Sequence, residues 1–271
     1  MKPMAIDLFC GLGGWTEGLL AEGYDVTGYD IEAHEYGEER YPAKLVLQDV
    51  LTLNGAQFKD AALIVASPPC QEFSYMAMPW KRAKQIARAL RGQDEFPEGY
   101  KGSRTVAELT ALFDACFRLQ RKAIEAAGHH IPLVVENVRG AEPWVGRAKW
   151  SFGSYYLWGD VPALMPPGRP IKVQSFRFDG SGRSFQSASV AEHVTGRRTA
   201  PGNGTRFTSR DCDTEGRRWF NDGPRTPDSL ASSSSSSSSP RRKQASAQIA
   251  KIPFALSSWI ARTYKSMERA A

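Results

Sequence analysis

Cysteine is scarce and scattered in this chain. There are four in 271 residues (Cys10, Cys70, Cys116 and Cys212), and none stands in Cys-x-x-Cys spacing. That pattern argues against a zinc site or a disulfide framework and for a reducing compartment. No run of about 18 apolar residues occurs, so no membrane span is expected. Met1 to Asp7 enters a strand pattern almost at once and leaves no length for a signal peptide, which points to a cytoplasmic protein. Internal repeats are absent as well.

What is present is ordinary for a globular chain: 41% hydrophobic and 24% charged residues, with length enough for one large domain or two modest ones. A net charge of +6 is a mild push toward polyanions, weak by itself because many basic proteins touch no nucleic acid.

The first 160 residues alternate short apolar runs with helical patterns. Strands are predicted at 5–9, 25–30, 45–47, 63–66 and 131–135. Helices are predicted from Trp15 to Glu22, from Glu32 to Tyr41 (stopped by Pro42), and from about Thr105 to Ala127. This alternation predicts an α/β, Rossmann-like, mostly parallel doubly wound sheet. Residues 81–104 carry seven Lys or Arg among Gly92, Gly99 and Gly102, and read as a mobile basic loop in which a part can be helical. Beyond Asp160 the texture becomes rich in Gly, Pro, Ser and Arg. Residues 161–244 form a separate irregular, β-rich module that includes a flexible Ser-rich linker at 231–243. Residues 245–271 bring a closing helix back to the first domain.

Three short runs carry chemistry. Asp7-Leu8-Phe9-Cys10-Gly11-Leu12-Gly13-Gly14 places glycines at a strand-to-helix turn, where backbone and helix N–H groups can approach a ligand. A phosphate-bearing and an adenosyl-sulfonium cofactor both fit it. Asp30 ends the second strand, where an acid can hold ribose hydroxyls. Asp49 could accept from an adenine amino group or merely cap a turn. Pro68-Pro69-Cys70-Gln71 sets a cysteine on a rigid turn at a strand end, where a nucleophile fits better than a structural thiol. Cys10 and Cys116 fit the structural role. Glu136-Asn137-Val138 ends a Leu-Val-Val run, where a partly desolvated carboxyl becomes a usable acid.

Taken in order, Asp7 to Gly14, Pro68 to Ser74 and Glu136 to Val138 resemble the DNA cytosine-5 methyltransferases, over about residues 4–160 plus the last helix. The resemblance implies a compact member of phage or restriction-modification type, acting as a monomer on double-stranded DNA, with S-adenosylmethionine as cofactor and no metal. It assigns cofactor binding to Phe9, Gly11, Leu12, Gly13, Gly14, Asp30, Ile31, Asp49, Val50 and Pro68. Cys70 becomes the nucleophile that adds to carbon 6 of a flipped-out cytosine, and Glu136 the residue that holds and protonates the ring. Gln71, Ser74 and Asn137 fall to the substrate. Arg82 and Arg88, in the basic stretch, and Arg197 and Arg198, in the recognition module, fall to DNA. The family's Gln-x-Arg-x-Arg signature is not legible, and Arg147 stands nearest to it as a third catalytic residue. Ile249 to Pro253 departs from the family's last motif. Lys251 there either points outward or meets a carboxylate on a carboxylated donor, which would make the transferred group carboxymethyl. An RNA cytosine-5 methyltransferase and a silent DNA-binding homologue are the remaining alternatives.

Overall fold

The computed structural model describes residues 2–36, 39–73, 80–163, 247 and 250–268. Ser74, Arg197, Arg198, Cys212 and nearly all of the expected recognition module and Ser-rich linker lie outside the described residues. Contacts divide the chain into one unit of Met1–Pro170 with Ile252–Ala271, and another of Ile171–Lys251. The first unit is built on a seven-stranded sheet.

Five parallel strands form its centre: β1 (Met4–Leu8), β2 (Asp25–Asp30), β3 (Lys44–Leu47), β4 (Ala61–Ala66) and β5 (Leu133–Asn137). A hairpin of β6 (Trp150–Phe152) and β7 (Tyr155–Gly159) extends the sheet, giving the order β3-β2-β1-β4-β5-β7-β6 with β7 antiparallel to β5. Phe152 pairs with Tyr155 across Gly153 and Ser154, and only Gly153 has positive φ (64°). That combination marks a type II′ turn with glycine first.

The sheet is covered on both faces. Helix α1 (Gly14–Ala21) and the closing helix, which runs Phe254–Glu268, lie on one face with Trp15, Leu19, Val65, Val134, Leu256 and Ile260. A long helix at Val106–Ala127 and two 3-10 turns cover the other, with Ile6, Leu8, Phe58, Ile64, Phe113 and Val135. The long helix begins where Thr105 Oγ1 accepts from the Glu108 N–H at 3.1 Å and ends at Gly128, φ 75°. In chain order it is α3, because α2 occupies Trp80–Ala89; a short α4 spans Glu142–Val145, and the closing helix is α5.

One expectation is corrected and one is made definite. No helix forms over the described part of Glu32–Tyr41. The Asp30 carboxylate turns back to accept from the N–H groups of Ile31 (2.8 Å) and Glu32 (3.4 Å), and Tyr36 bridges Glu39. Such side-chain bonds offer the backbone an alternative to a helix. The helical part allowed for in the basic stretch is its beginning, α2. That helix buries Ala83, Ile86 and Ala89 at spacing three and presents Lys81, Arg82, Lys84 and Arg88 outward.

Helix α1 lies close against α5 because Gly18 has no side chain. A Cβ there would stand 2.3 Å from Ser257 Oγ and 2.4 Å from the Ser258 backbone nitrogen. Gly18→Ala is expected to cost about 1–3 kcal/mol or more through overpacking, read as a lower melting temperature. An unchanged value would contradict this approach of the two helices.

Candidate active site

The strand order reverses between β1 and β4. In open α/β sheets a crevice opens there, outside the carboxyl ends of the strands. The glycine turn follows β1 and the Pro-Pro-Cys turn follows β4, so both lie at that edge. The register Leu8↔Ala66, continued by the Ser67 N–H donating to the Leu8 carbonyl at 3.2 Å, sets them side by side.

Conformation in the glycine turn is unusual. Phe9 adopts φ 57°, rare for a residue with a Cβ, and Gly11 (φ 50°) faces open space. Gly13 (φ 79°) is required differently, since a Cβ there would meet Pro42 at 2.6 Å. Gly13 caps α1 without a side-chain bond, so the first N–H groups of a helix that begins at Gly14 keep their ligand-binding capacity. Leu12 is buried. Asp30 Oδ2 accepts from the Gly11 N–H at 2.9 Å. Burial works to raise the Asp30 pKa, but hydrogen bonds from His34 and the Gly11 N–H prevail and hold it below the usual carboxylate range. Ile31 beyond it is 73% exposed. Asp49 caps a 3-10 turn, its Oδ1 accepting from the Leu51 N–H at 2.9 Å. Val50 packs in the core, leaving only backbone to offer a ligand. An open glycine, free helix N–H groups, an ionised acid and an exposed apolar side chain fit an adenosyl cofactor.

Below the turn lies a buried chain of polar groups that sequence reasoning missed. Thr16 Oγ1 donates to Asp7 Oδ2 at 2.6 Å and lies 2.6 Å from the Tyr41 hydroxyl. Asp7 Oδ1 is buried without a partner. Burial pushes the Asp7 pKa up to about 8. Burial likewise pushes Glu136 up to about 8, a hydrogen bond from Ser67 opposing it. Unfolded, both carboxyls titrate near pH 4. Between about pH 4 and 8 the folded chain therefore keeps protons that the unfolded chain has lost, and stability falls as pH rises through that window. Asp7→Asn is expected to flatten this fall by an amount on the order of a few kcal/mol, seen in melting temperatures from pH 6 to 9. A variant as pH-sensitive as the wild type would refute the assignment.

The Asn137 amide joins the chemistry-bearing turns. It is 1% exposed, donates to the Pro68 carbonyl at 3.0 Å, and accepts from the Val138 N–H at 2.8 Å. The resemblance assigns Asn137 to the substrate; in the structure its side chain ties β5 to the Pro-Pro-Cys turn. Cys70 and Glu136 are near enough to interact. Burial, then the Glu136 charge, raises the Cys70 pKa above the ordinary thiol range. Cys70 is partly accessible, while Cys10 and Cys116 are buried free thiols. Tyr155 is also beside Glu136, its hydroxyl pushed up to about 12 by burial and that carboxyl.

The remaining expected residues surround this edge. Gln71 is exposed and lines a hollow of about 160 Å³ with Glu72, Ala83, Ile86 and Trp144. Glu72 accepts from the Ser103 N–H and hydroxyl, both at 2.7 Å, so the segment after α2 is clasped to the Pro-Pro-Cys turn. Arg91 stacks over Trp144 at 4.4 Å. Arg82 is exposed, and Arg88 pairs with Asp94 at 3.7 Å. Arg147 is exposed on a depression of about 640 Å³ with Arg139, Glu142, Pro143 and Tyr156. Among the described residues no cluster of three or more His, Cys, Asp or Glu could hold a metal, and no helix is long and apolar enough to cross a membrane.

Residues 4–85 match the family described as C-5 cytosine-specific DNA methylase. No curated protein gives a match. Among solved structures, the chain is similar to a prophage-encoded E. coli protein described as a DNA modification methyltransferase, at 22% identity and TM-score 0.32, covering 54% of this chain and 35% of that one. Spodoptera frugiperda DNMT2 is similar at 18% identity and TM-score 0.29, over 53% of this chain and 38% of that one. The Entamoeba histolytica methyltransferase EhMeth is similar at 11% identity and TM-score 0.41, over 98% and 99%. The chain thus spans little more than a third of the length of the first two. The mostly parallel seven-stranded sheet is consistent with the α/β fold of S-adenosylmethionine-dependent methyltransferases, and residues 4–85 carry the similarity to the C-5 cytosine-specific DNA methylase family.

Proposed function

We propose that this chain methylates carbon 5 of cytosine in double-stranded DNA, with Cys70 as nucleophile and Glu136 as acid. The observation that carries the reading is the meeting of these two groups at one sheet edge, fastened by the Asn137–Pro68 hydrogen bond and beside the glycine turn. Carbon 5 of cytosine is a poor nucleophile. Addition of the Cys70 thiolate to carbon 6 makes carbon 5 electron-rich, while Glu136 delivers a proton at N3 and so absorbs the charge that addition creates. S-adenosylmethionine, when bound, supplies an electrophilic methyl group. Loss of the carbon 5 proton to solvent then expels the Cys70 thiolate, the N3 proton returns to the Glu136 carboxylate, and the ring is restored. The turn holding Phe9, Gly11, Leu12, Gly13 and Gly14, with Asp30, Ile31, Asp49 and Pro68, would hold the cofactor. The reaction needs the base out of the stack, and the outward cations of α2, Arg82 among them, suit phosphate contacts next to the nucleophile turn.

The test offers the purified full chain duplex DNA and RNA of matched sequence, each with S-adenosylmethionine or its carboxylated form, and identifies the modified nucleosides by mass spectrometry. 5-Methylcytosine in DNA is expected. The same product in RNA alone would move the substrate to RNA, and 5-carboxymethylcytosine would change the donor. No product, with nucleic acid still bound, would reduce the protein to a binding homologue.

A further inference from the structure

A tryptophan, a serine and the site's carboxyl form a line with a fixed direction. Val65 pairs with Val134 and Ala66 with Val135 in adjacent parallel strands. The next residues, Ser67 and Glu136, therefore come level on neighbouring strands about 4.8 Å apart, on the face that Val65 and Val134 share with Trp15. Trp15 Nε1 donates to Ser67 Oγ at 2.9 Å. An indole N–H can only donate and a hydroxyl has a single proton. With its oxygen accepting from Trp15, Ser67 has one proton left to give, and the Glu136 carboxyl stands level with it on the next strand and on the same face.

We propose that Ser67 is a positioning residue for the acid step: oriented by Trp15, it donates to the Glu136 carboxyl, holds it, and steadies its ionised form. The relay rests on the acid role given to Glu136 above and adds a residue that the three sequence motifs do not assign. It begins on the second residue of α1, so the helix that starts at the glycine turn also governs the acid. The other groups facing Glu136 are Cys70 beyond β4 and Tyr155 on β7. Asp7 is on the same face, two strands away in β1. The buried residues of α1 and α5 on this face are neutral.

The test is a pH titration of the Glu136 carboxyl by carbon-13 NMR in the full chain without ligands, assigned by its loss in Glu136→Gln. Losing the donor destabilises the ionised form, so Ser67→Ala is expected to raise the midpoint by about one pH unit, a tenfold firmer hold on the proton. Ser67→Thr, which keeps the hydroxyl, should titrate like the wild type. Trp15→Phe should move the midpoint up by less. An unmoved midpoint in a folded Ser67→Ala variant overturns the relay. If the wild type transfers no methyl group and Ser67→Ala still shifts the midpoint, the transferase reading fails and the relay stands.

Discussion

Cys70→Ser is expected to reduce methyl transfer to cytosine by more than about a thousandfold, with nucleic acid binding retained. The size follows from acidity and nucleophilicity: a thiolate is a strong nucleophile, whereas a hydroxyl is far harder to ionise. The site makes even the thiol reluctant, because burial and the Glu136 charge both hold its proton on. That reluctance has a chemical use. When Glu136 takes up a proton its charge disappears, and one of the two forces opposing thiolate formation goes with it. A thiolate at position 70 and a neutral acid at position 136 therefore favour each other, and they are the pair that addition to carbon 6 demands. Alkylation with iodoacetamide, with Cys70→Ser as the blank, reads the thiol directly. Its reactivity should rise only at pH above the ordinary thiol range, and at lower pH in Glu136→Gln. Full transfer by Cys70→Ser would remove the covalent step from the mechanism.

Legibility in the sequence followed locality. Strands β1, β4 and β5 show as largely apolar runs because both their faces are covered, and a parallel sheet then sends every such run's carboxyl end to one edge. That logic suffices to bring Cys70, Glu136 and the glycine turn together from the sequence. What failed was decided by partners remote in sequence or by a misleading face. Tyr41 looked like the end of a polar helix, but its hydroxyl joins Thr16, 25 residues earlier, in a buried chain. The cations of α2 hid the small stripe of Ala83, Ile86 and Ala89, which a count at helical spacing would have found. The β6–β7 hairpin had a readable signal in Gly153-Ser154 between aromatic runs. Ser67 had almost none, since a serine before two prolines reads as part of the turn until Trp15, 52 residues away, is seen to donate to it.

Glu136→Gln should lower kcat/KM by about 10²–10⁴-fold and change the shape of its pH dependence as well. In the free protein the carboxyl is raised to about 8 and the thiol lies above its ordinary range, so the two titrate as a coupled pair. The productive form carries one proton for the pair, on the carboxyl. Below about pH 8 the pair holds both protons, and above the thiol's own range it holds neither. Wild-type kcat/KM should accordingly rise through about pH 8 and fall at higher pH. The placement of that rise is distinctive, because a carboxyl of ordinary pKa would be fully ionised there. With glutamine at position 136 only the thiol titrates. The weak residual rate should then climb with pH to a plateau, without the alkaline fall, because no acid remains to be lost. Rate measurements from pH 6 to 10 on both proteins separate the two shapes. An alkaline fall that survives the substitution would belong to some other group, and Glu136 would then hold the base without supplying its proton.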